Sequence, residues 1–258
     1  MELINREDVS CFTQAEDGYN IICLTRTGGH SSPPYDSLNL SNVSGDDEQS
    51  VKKNYDKLFS TFGVDKEKFV QLNQVHGNEV LVLKRGENAL PAAGDFDAVV
   101  SDDTDLILSI MTADCVPVFL YDTGHDVFAA VHAGWRGTAK CIAAKAADVM
   151  ASKFSCDRAN IRAVIGPSIG SCCYEVDAEA LNALTDSLLD GAVGVHSVLV
   201  GKAFVDLKKY NVAQLIGCGL NSDNITVSDQ CTFCNTDLFF SYRRENETGR
   251  QLSFIQKK

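Results

Sequence analysis

Between residues 98 and 131 four apolar segments follow one another with no room for a helix between them: Ala98–Val100, Leu106–Met111, Val116–Tyr121 and Val127–Val131. Short apolar runs of this length, rich in Val, Ile and Phe, predict strands buried on both faces. Strands that arrive in runs, with helices set apart from them, exclude the regular strand–helix alternation of a doubly wound sheet. The expected fold class is therefore α+β with mixed sheets.

The flanking segments extend this pattern. Ile21–Arg26 predicts a strand running into a Gly- and Pro-rich loop, Thr27–Pro34. Acidic residues at 46–48 precede a helix to Phe62, in which Val51, Tyr55, Leu58 and Phe59 recur at helical spacing. Strands are expected at Phe69–Leu72 and Val80–Leu83, with His76 in the turn joining them. An Ala-rich helix over 139–153 is expected to pack closely on a sheet. A strand at 161–166, helices at 177–190 and 206–218, and late strands at 224–227 and 252–255 complete the reading. With 258 residues and neither linker nor repeat, one domain spanning 1–258 is expected.

Charge and composition narrow the function. Lys+Arg 23 against Asp+Glu 35 leaves a net charge of −12, which repels phosphate backbones and anionic membranes where no basic patch offsets it. No nucleic acid or membrane partner is expected. The opening Met1–Arg6 lacks the apolar core of a signal peptide, so a cytoplasmic location is expected, with the ten Cys mostly buried free thiols. Cys231 and Cys234 form a CxxC, but no second CxxC completes a zinc ribbon, and Cys172 and Cys173 are adjacent rather than spaced. Packing is the plain reading of these four.

Three soft ligands stand in segments whose neighbours suit tight backbone geometry: His76 in Gln74–Gly77, Cys115 in Thr112–Pro117 and His132 in Val131–Gly137. Two imidazoles and a thiolate suit zinc, and three protein ligands leave a position open for water or substrate. Separations of 39 and 17 residues match no local zinc pattern, so the segments must meet in three dimensions. The alternatives are core histidines, or Cys115 as a nucleophile with a His base. Asp114 is a candidate for orienting the imidazoles. Arg136, in a Gly-containing turn leading into a helix, is a candidate anion ligand, as are Arg26 and Asn39 for substrate contacts.

Thr25–Gly29, Ser37–Leu40, Gln74–Gly77, Thr112–Cys115, His132–Gly137, Ile165–Pro167 with Cys172–Val176, and Phe240–Arg244 together resemble the laccase-domain family, over nearly the whole chain. Its members were long labelled polyphenol oxidases and are now regarded as purine nucleoside phosphorylases. The resemblance implies a four-layer α/β/β/α fold and zinc held by His76, Cys115 and His132, which would also be the catalytic residues. It further implies phosphorolysis of adenosine, inosine and 5′-methylthioadenosine, with adenosine deaminase activity in some members. Arg26, Asn39 and Arg136 would contact the nucleoside and phosphate. His30, after Gly28-Gly29, departs from the family pattern and is expected near the pocket. Some relatives are described as editing peptidoglycan precursors, a hydrolysis that would use Cys115 or the metal site. Copper, as in a polyphenol oxidase, is disfavoured. A multicopper cluster needs many imidazoles, only His30, His125 and His196 remain, and none forms a His-x-His pair.

Overall fold

The computed structural model describes residues 1–86, 94–188, 195–199 and 202–258. In chain order the strands are β1 (Glu2–Arg6), β2 (Val9–Glu16), β3 (Tyr19–Leu24), β4 (Phe69–Val70), β5 (Val80–Leu83), β6 (Ala98–Ser101), β7 (Ile107–Thr112), β8 (Val116–Asp122), β9 (Val127–Ala133), β10 (Arg162–Ile165), β11 (Glu175–Asp177), β12 (Val195–Leu199), β13 (Lys202–Val205), β14 (Ile225–Val227) and β15 (Gln251–Lys257). The helices are α1 (Glu48–Phe62), α2 (Trp135–Ala139), α3 (Ile142–Phe154), α4 (Ala178–Asp186), α5 (Leu207–Gly217) and α6 (Tyr242–Glu245).

The strands form two six-stranded mixed sheets, ordered β1-β2-β3-β15-β7-β4 and β14-β10-β8-β9-β6-β5, and a small sheet β11-β13-β12. The apolar run at 98–131 is thus divided. β7 joins the first sheet, while β6, β8 and β9 build the centre of the second. β8 and β9 are buried at every residue, which explains why they are apolar but for Asp122 and His132 near their ends.

Three apolar layers account for the architecture. Phe12, Tyr19, Ile21, Leu108 and Ile255 of the first sheet meet Val99, Phe119, Tyr121, Phe128 and Val164 of the second. Tyr19 packs on both Tyr121 and Phe128, at ring-centroid distances of 4.9 and 5.7 Å. Each such buried aromatic contributes roughly 1.5–3 kcal/mol of transfer free energy. The outer face of the first sheet is covered by α1 through Leu58 and Phe62, against Ile22, Leu252 and Phe254. The outer face of the second is covered by α3 and α5, where Ala143, Ala146 and Ala147 allow the close approach expected of the Ala-rich helix. The order is α/β/β/α.

Asp47, Asp177 and Asp206 cap α1, α4 and α5 by accepting from backbone N–H groups three residues on. Some boundaries differ from expectation. The helix expected over 139–153 starts instead at Ile142 as α3, and a separate short α2 precedes it, with Cys141 in a left-handed conformation, φ 56°, between them. α4 ends at Asp186, and residues 189–190 of the helix expected there lie outside those described. β4 and β5 belong to different sheets, so His76 lies on a crossover between sheets rather than in a hairpin turn. The β1–β2 hairpin and the β11–β13 sheet went unread. No helix among the described residues is long and apolar enough to cross a membrane.

Candidate metal centre

Antiparallel pairing of β8 with β9 places Pro117 opposite His132 and Val116 opposite Ala133. Cys115, immediately before β8, therefore stands beside His132 at one end of the second sheet. The crossover carrying His76 arrives at the same end. The candidate ligand atoms of His76, Cys115 and His132 all lie within 4.8 Å of one another. The two imidazole centroids are 4.8 Å apart at an interplanar angle of 76°. Burial is graded, with His132 buried, Cys115 half-buried and His76 exposed, so the group opens to solvent on the His76 side.

Asp97, which precedes β6 and is fully buried, organises this convergence. Its Oδ1 accepts from His132 Nδ1 at 2.7 Å and from the backbone N–H of His76 at 3.0 Å. Its Oδ2 accepts the N–H groups of Gly77 at 2.6 Å and Val75 at 3.2 Å. One carboxylate thus orients one imidazole directly and the other through the backbone of its turn, where His76 has φ 59°. Burial works against ionisation of Asp97, but His132 and the Gly77 and Val75 amides outweigh it and hold the carboxyl below the usual range. Burial likewise disfavours the His132 cation, yet Cys115 and Asp97 prevail and push its pKa up to about 9. Burial, then the neighbouring His132, lowers that of His76.

The donor set fits a soft divalent metal. With its Nδ1 bound to a carboxylate, His132 presents Nε2, the usual arrangement of a metal-ligating histidine. Gly134 supplies the required space. A Cβ there would lie 2.7 Å from His76 Nδ1 and 3.2 Å from Cys115 Sγ. Gln74 anchors the crossover by donating to the Met111 carbonyl and accepting from its N–H, both at 2.8 Å.

Asp114 does not orient the imidazoles. Its carboxylate accepts from Thr232 Oγ1 at 2.6 Å, Ser241 Oγ at 3.0 Å and the Arg243 N–H at 2.7 Å. It ties the Cys115 turn to the loops around 232 and 241. The orienting carboxylate, Asp97, was missed because its partners are 21 and 35 residues away and no local motif marks it. The sequence offers one signal, an Asp immediately before an otherwise fully buried apolar strand.

Arg136, exposed in the first turn of α2, stacks on Trp135 with its guanidinium 4.1 Å from the ring and has no carboxylate partner among the described residues. It lies within electrostatic reach of His76. Arg250, which the sequence reading passed over, is half-buried within electrostatic reach of Cys115 and Asp114. Its guanidinium donates to the Thr248 and Gly249 carbonyls, each at 2.9 Å. Tyr174 lies on the same side, carrying the Arg243 guanidinium over its ring at 5.0 Å.

Arg26 and Asn39 are committed to internal partners instead. Arg26 pairs with Glu245 at 2.9 Å and Asp36 at 3.3 Å and covers the Phe240 ring at 4.7 Å. Asn39 is fully buried; its amide donates to Ser44 Oγ and Asp46 Oδ2, and its Oδ1 accepts the Arg250 N–H at 2.9 Å. Asn39 supports the Arg250 segment from behind. His30 is exposed and its backbone N–H is held by Asn54 Oδ1, with no described contact to the three ligands.

Residues 20–258 match the family model described as multi-copper polyphenol oxidoreductase laccase. The chain belongs to this family. It is 33% identical over 243 residues to the purine nucleoside phosphorylase YlmD of Geobacillus stearothermophilus, covering 91% of this chain and 88% of that one. It is 37% identical over 233 residues to the purine nucleoside phosphorylase YfiH of Escherichia coli, covering 90% of each. Among solved structures, YlmD from Geobacillus stearothermophilus superposes with a TM-score of 0.92 at 31% identity, covering 99% and 98% of the two chains. The YfiH structure from Bacillus licheniformis gives 0.91 at 34% identity, covering 97% of each. The α/β/β/α arrangement is therefore the fold of this family.

Proposed function

We propose that this chain is a cytoplasmic, single-domain, zinc-dependent purine nucleoside phosphorylase acting on adenosine, inosine and 5′-methylthioadenosine, with adenosine deamination as a secondary activity. The observation that carries the reading is the convergence of His76, Cys115 and His132 at a solvent-open sheet end, flanked by two guanidinium groups that have no carboxylate partner among the described residues. Relatives named purine nucleoside phosphorylase support it.

In phosphorolysis a phosphate oxygen forms a bond to ribose C1′, the C1′–N9 bond breaks, and the departing purine takes a proton. A zinc ion held by His76, Cys115 and His132 would supply Lewis acidity toward an oxygen at its open position. Arg136 and Arg250 would hold the phosphate dianion and keep it against the sugar face. Arg250 takes the role first expected of Arg26, whose charge is already matched by Glu245 and Asp36. Asp97 fixes His132 in the tautomer that leaves Nε2 free.

Copper chemistry is less well supported. Two His and one Cys with a weak axial Met would also describe a blue-copper site, but Met111, the thioether nearest Cys115 in sequence, packs into the apolar layer beneath α1. His125 is engaged with Asp122 at 2.9 Å in a different group. The test is Cys115→Ala, assayed for phosphate-dependent release of ribose 1-phosphate from inosine with bound metal measured in parallel. Loss of both metal and phosphorolysis is expected; full phosphorolysis by a zinc-free variant would refute the proposal.

A further inference from the structure

Four cysteines outside the site just described come together between two loops. The loop 166–174 follows β10 and the loop 228–235 follows β14; these strands are parallel neighbours, and the loops continue side by side through a bridge between Ser168 and Cys231. Cys172 and Cys173 are contributed by the first loop, and Cys231 and Cys234 by the second.

Their sulfurs are close in every direction. Cys172 Sγ lies 3.7 Å from both Cys231 Sγ and Cys234 Sγ, and Cys173 Sγ lies 3.5 Å from Cys172 Sγ and 3.3 Å from Cys234 Sγ. All four lie within 4.8 Å of one another. Zinc–sulfur bonds of about 2.3 Å place the sulfurs of a tetrahedral tetrathiolate ~3.8 Å apart, close to the 3.3–3.7 Å of four of the six pairs here. A multi-iron cluster would need sulfurs spread across several irons.

We propose that Cys172, Cys173, Cys231 and Cys234 form a second metal site, a closed structural tetrathiolate centre for zinc that clips the two loops together.

The surroundings suit an anionic centre. Cys231 Sγ accepts the Gly170 N–H at 3.2 Å, the polarised amide contact that thiolate ligands receive. Lys208, 7% exposed, sends its ammonium to the carbonyls of Ser228 at 2.8 Å and Gln230 at 3.1 Å. Besides Asp206 and Asp229, the charges it feels are those of Cys231 and Cys172. A divalent ion with four thiolates carries a net double negative charge, which a buried cation offsets. Metal binding would release the thiol protons to solvent, with no change of oxidation state. All four coordination positions are filled by protein, so the centre is structural. Its effect reaches the first site through Asp114, which receives Thr232 Oγ1 and, at its backbone carbonyl, the Ile169 N–H at 3.0 Å.

The test uses full-length protein purified anaerobically without chelators. Zinc content should fall by about one equivalent in Cys172→Ser/Cys234→Ser, which alters the two exposed members, and by about one further equivalent when Cys115→Ser is added. Cobalt reconstitution of Cys115→Ser should retain an intense sulfur-to-cobalt charge-transfer band that the triple variant lacks. In the unmutated protein, mass mapping of alkylation should find all four thiols protected until a strong chelator is added, a readout independent of how the variants fold. Alkylation of the four without chelator, a Cys173–Cys234 disulfide in the anaerobic protein, or zinc content unchanged by the double substitution would overturn the proposal.

Discussion

Replacing Asp97 with Asn changes one oxygen to an NH2 group and leaves size and shape intact, so its effect isolates the role of the carboxylate. The four donors divide evenly: His132 Nδ1 and the His76 N–H on Oδ1, the Val75 and Gly77 N–H groups on Oδ2. Whichever way the substituted side-chain amide turns, its NH2 meets two donors. Two N–H groups lose their acceptor, at about 1–3 kcal/mol for a fully buried donor such as His132 Nδ1 and less for the partly exposed amides of Val75, His76 and Gly77. One relief is available, and it is harmful. If the NH2 occupies the Oδ1 side, His132 can accept at Nδ1 only by moving its proton to Nε2, the nitrogen needed for metal. Loss of such an orienting partner costs roughly 10–100-fold in metal affinity. Urea denaturation of the metal-free proteins measures the first quantity, and zinc competition against a chromophoric chelator the second. Expected are a stability loss of at least about 1 kcal/mol and metal affinity weakened at least about tenfold. Asp97→Asn protein with unchanged denaturation midpoint and unchanged zinc affinity would refute the assignment of Asp97 as the organiser of both imidazoles.

Gly134→Ala should abolish metal binding while leaving the sheets intact, because the added carbon would approach His76 Nδ1 to 2.7 Å; zinc analysis and circular dichroism together decide this. Arg250→Ala should raise KM for phosphate about 10–100-fold, the value of one charge-assisted hydrogen bond, with little change in KM for inosine. Arg26→Ala should instead lower thermal stability and leave the phosphate KM within about twofold, since its partners are Glu245 and Asp36. The metal-free protein should also lose stability as pH rises. His132 is raised from an unfolded value near 6.5 to about 9, so its stabilising contribution is fully present below 6.5 and disappears as pH passes through 9. Melting temperatures of the metal-free protein across that interval, compared with His132→Gln, provide the check.

What could be read from the sequence was whatever has a local physical signature. The strands at 98–131 were legible because both faces of β8 and β9 are buried, and α1 because its apolar stripe and its Asp47 cap lie within one stretch of chain. The break at Cys141 was not, since a non-Gly residue with positive φ carries no compositional mark. β4 and β5 were placed as neighbours for want of any local sign that they belong to different sheets; that information resides in the pairing of β4 with β7 and of β5 with β6. The same distinction runs through the site. His76, Cys115 and His132 stood out as residue types in unusual backbone settings, whereas Asp97 and Arg250 differ from any other Asp or Arg only in what folds against them. Arg26 and Asn39 stood out for the opposite reason. They occupy Gly-rich or polar loops that look built for a ligand, and the loops are built around them.

The cysteines show where reasoning from spacing stops. The CxxC was set aside because no second CxxC completes a zinc ribbon and Cys172 and Cys173 are adjacent rather than spaced; on a regular strand adjacent side chains point to opposite faces. Cys172 and Cys173 are not on a strand. They lie in the turn after Gly170, whose carbonyl accepts the N–H groups of both Cys173 and Tyr174 at 3.0 Å. That turn lets both sulfurs face the second loop, so vicinal cysteines can take the part of a spaced pair. The partnership depends on β10 and β14 being parallel, since only then do both loops leave the sheet at the same end. A single long-range fact, the parallel register of two short strands distant in sequence, with Ala163 opposite Ile225 and Val164 opposite Thr226, converts four apparently separate thiols into one coordination sphere.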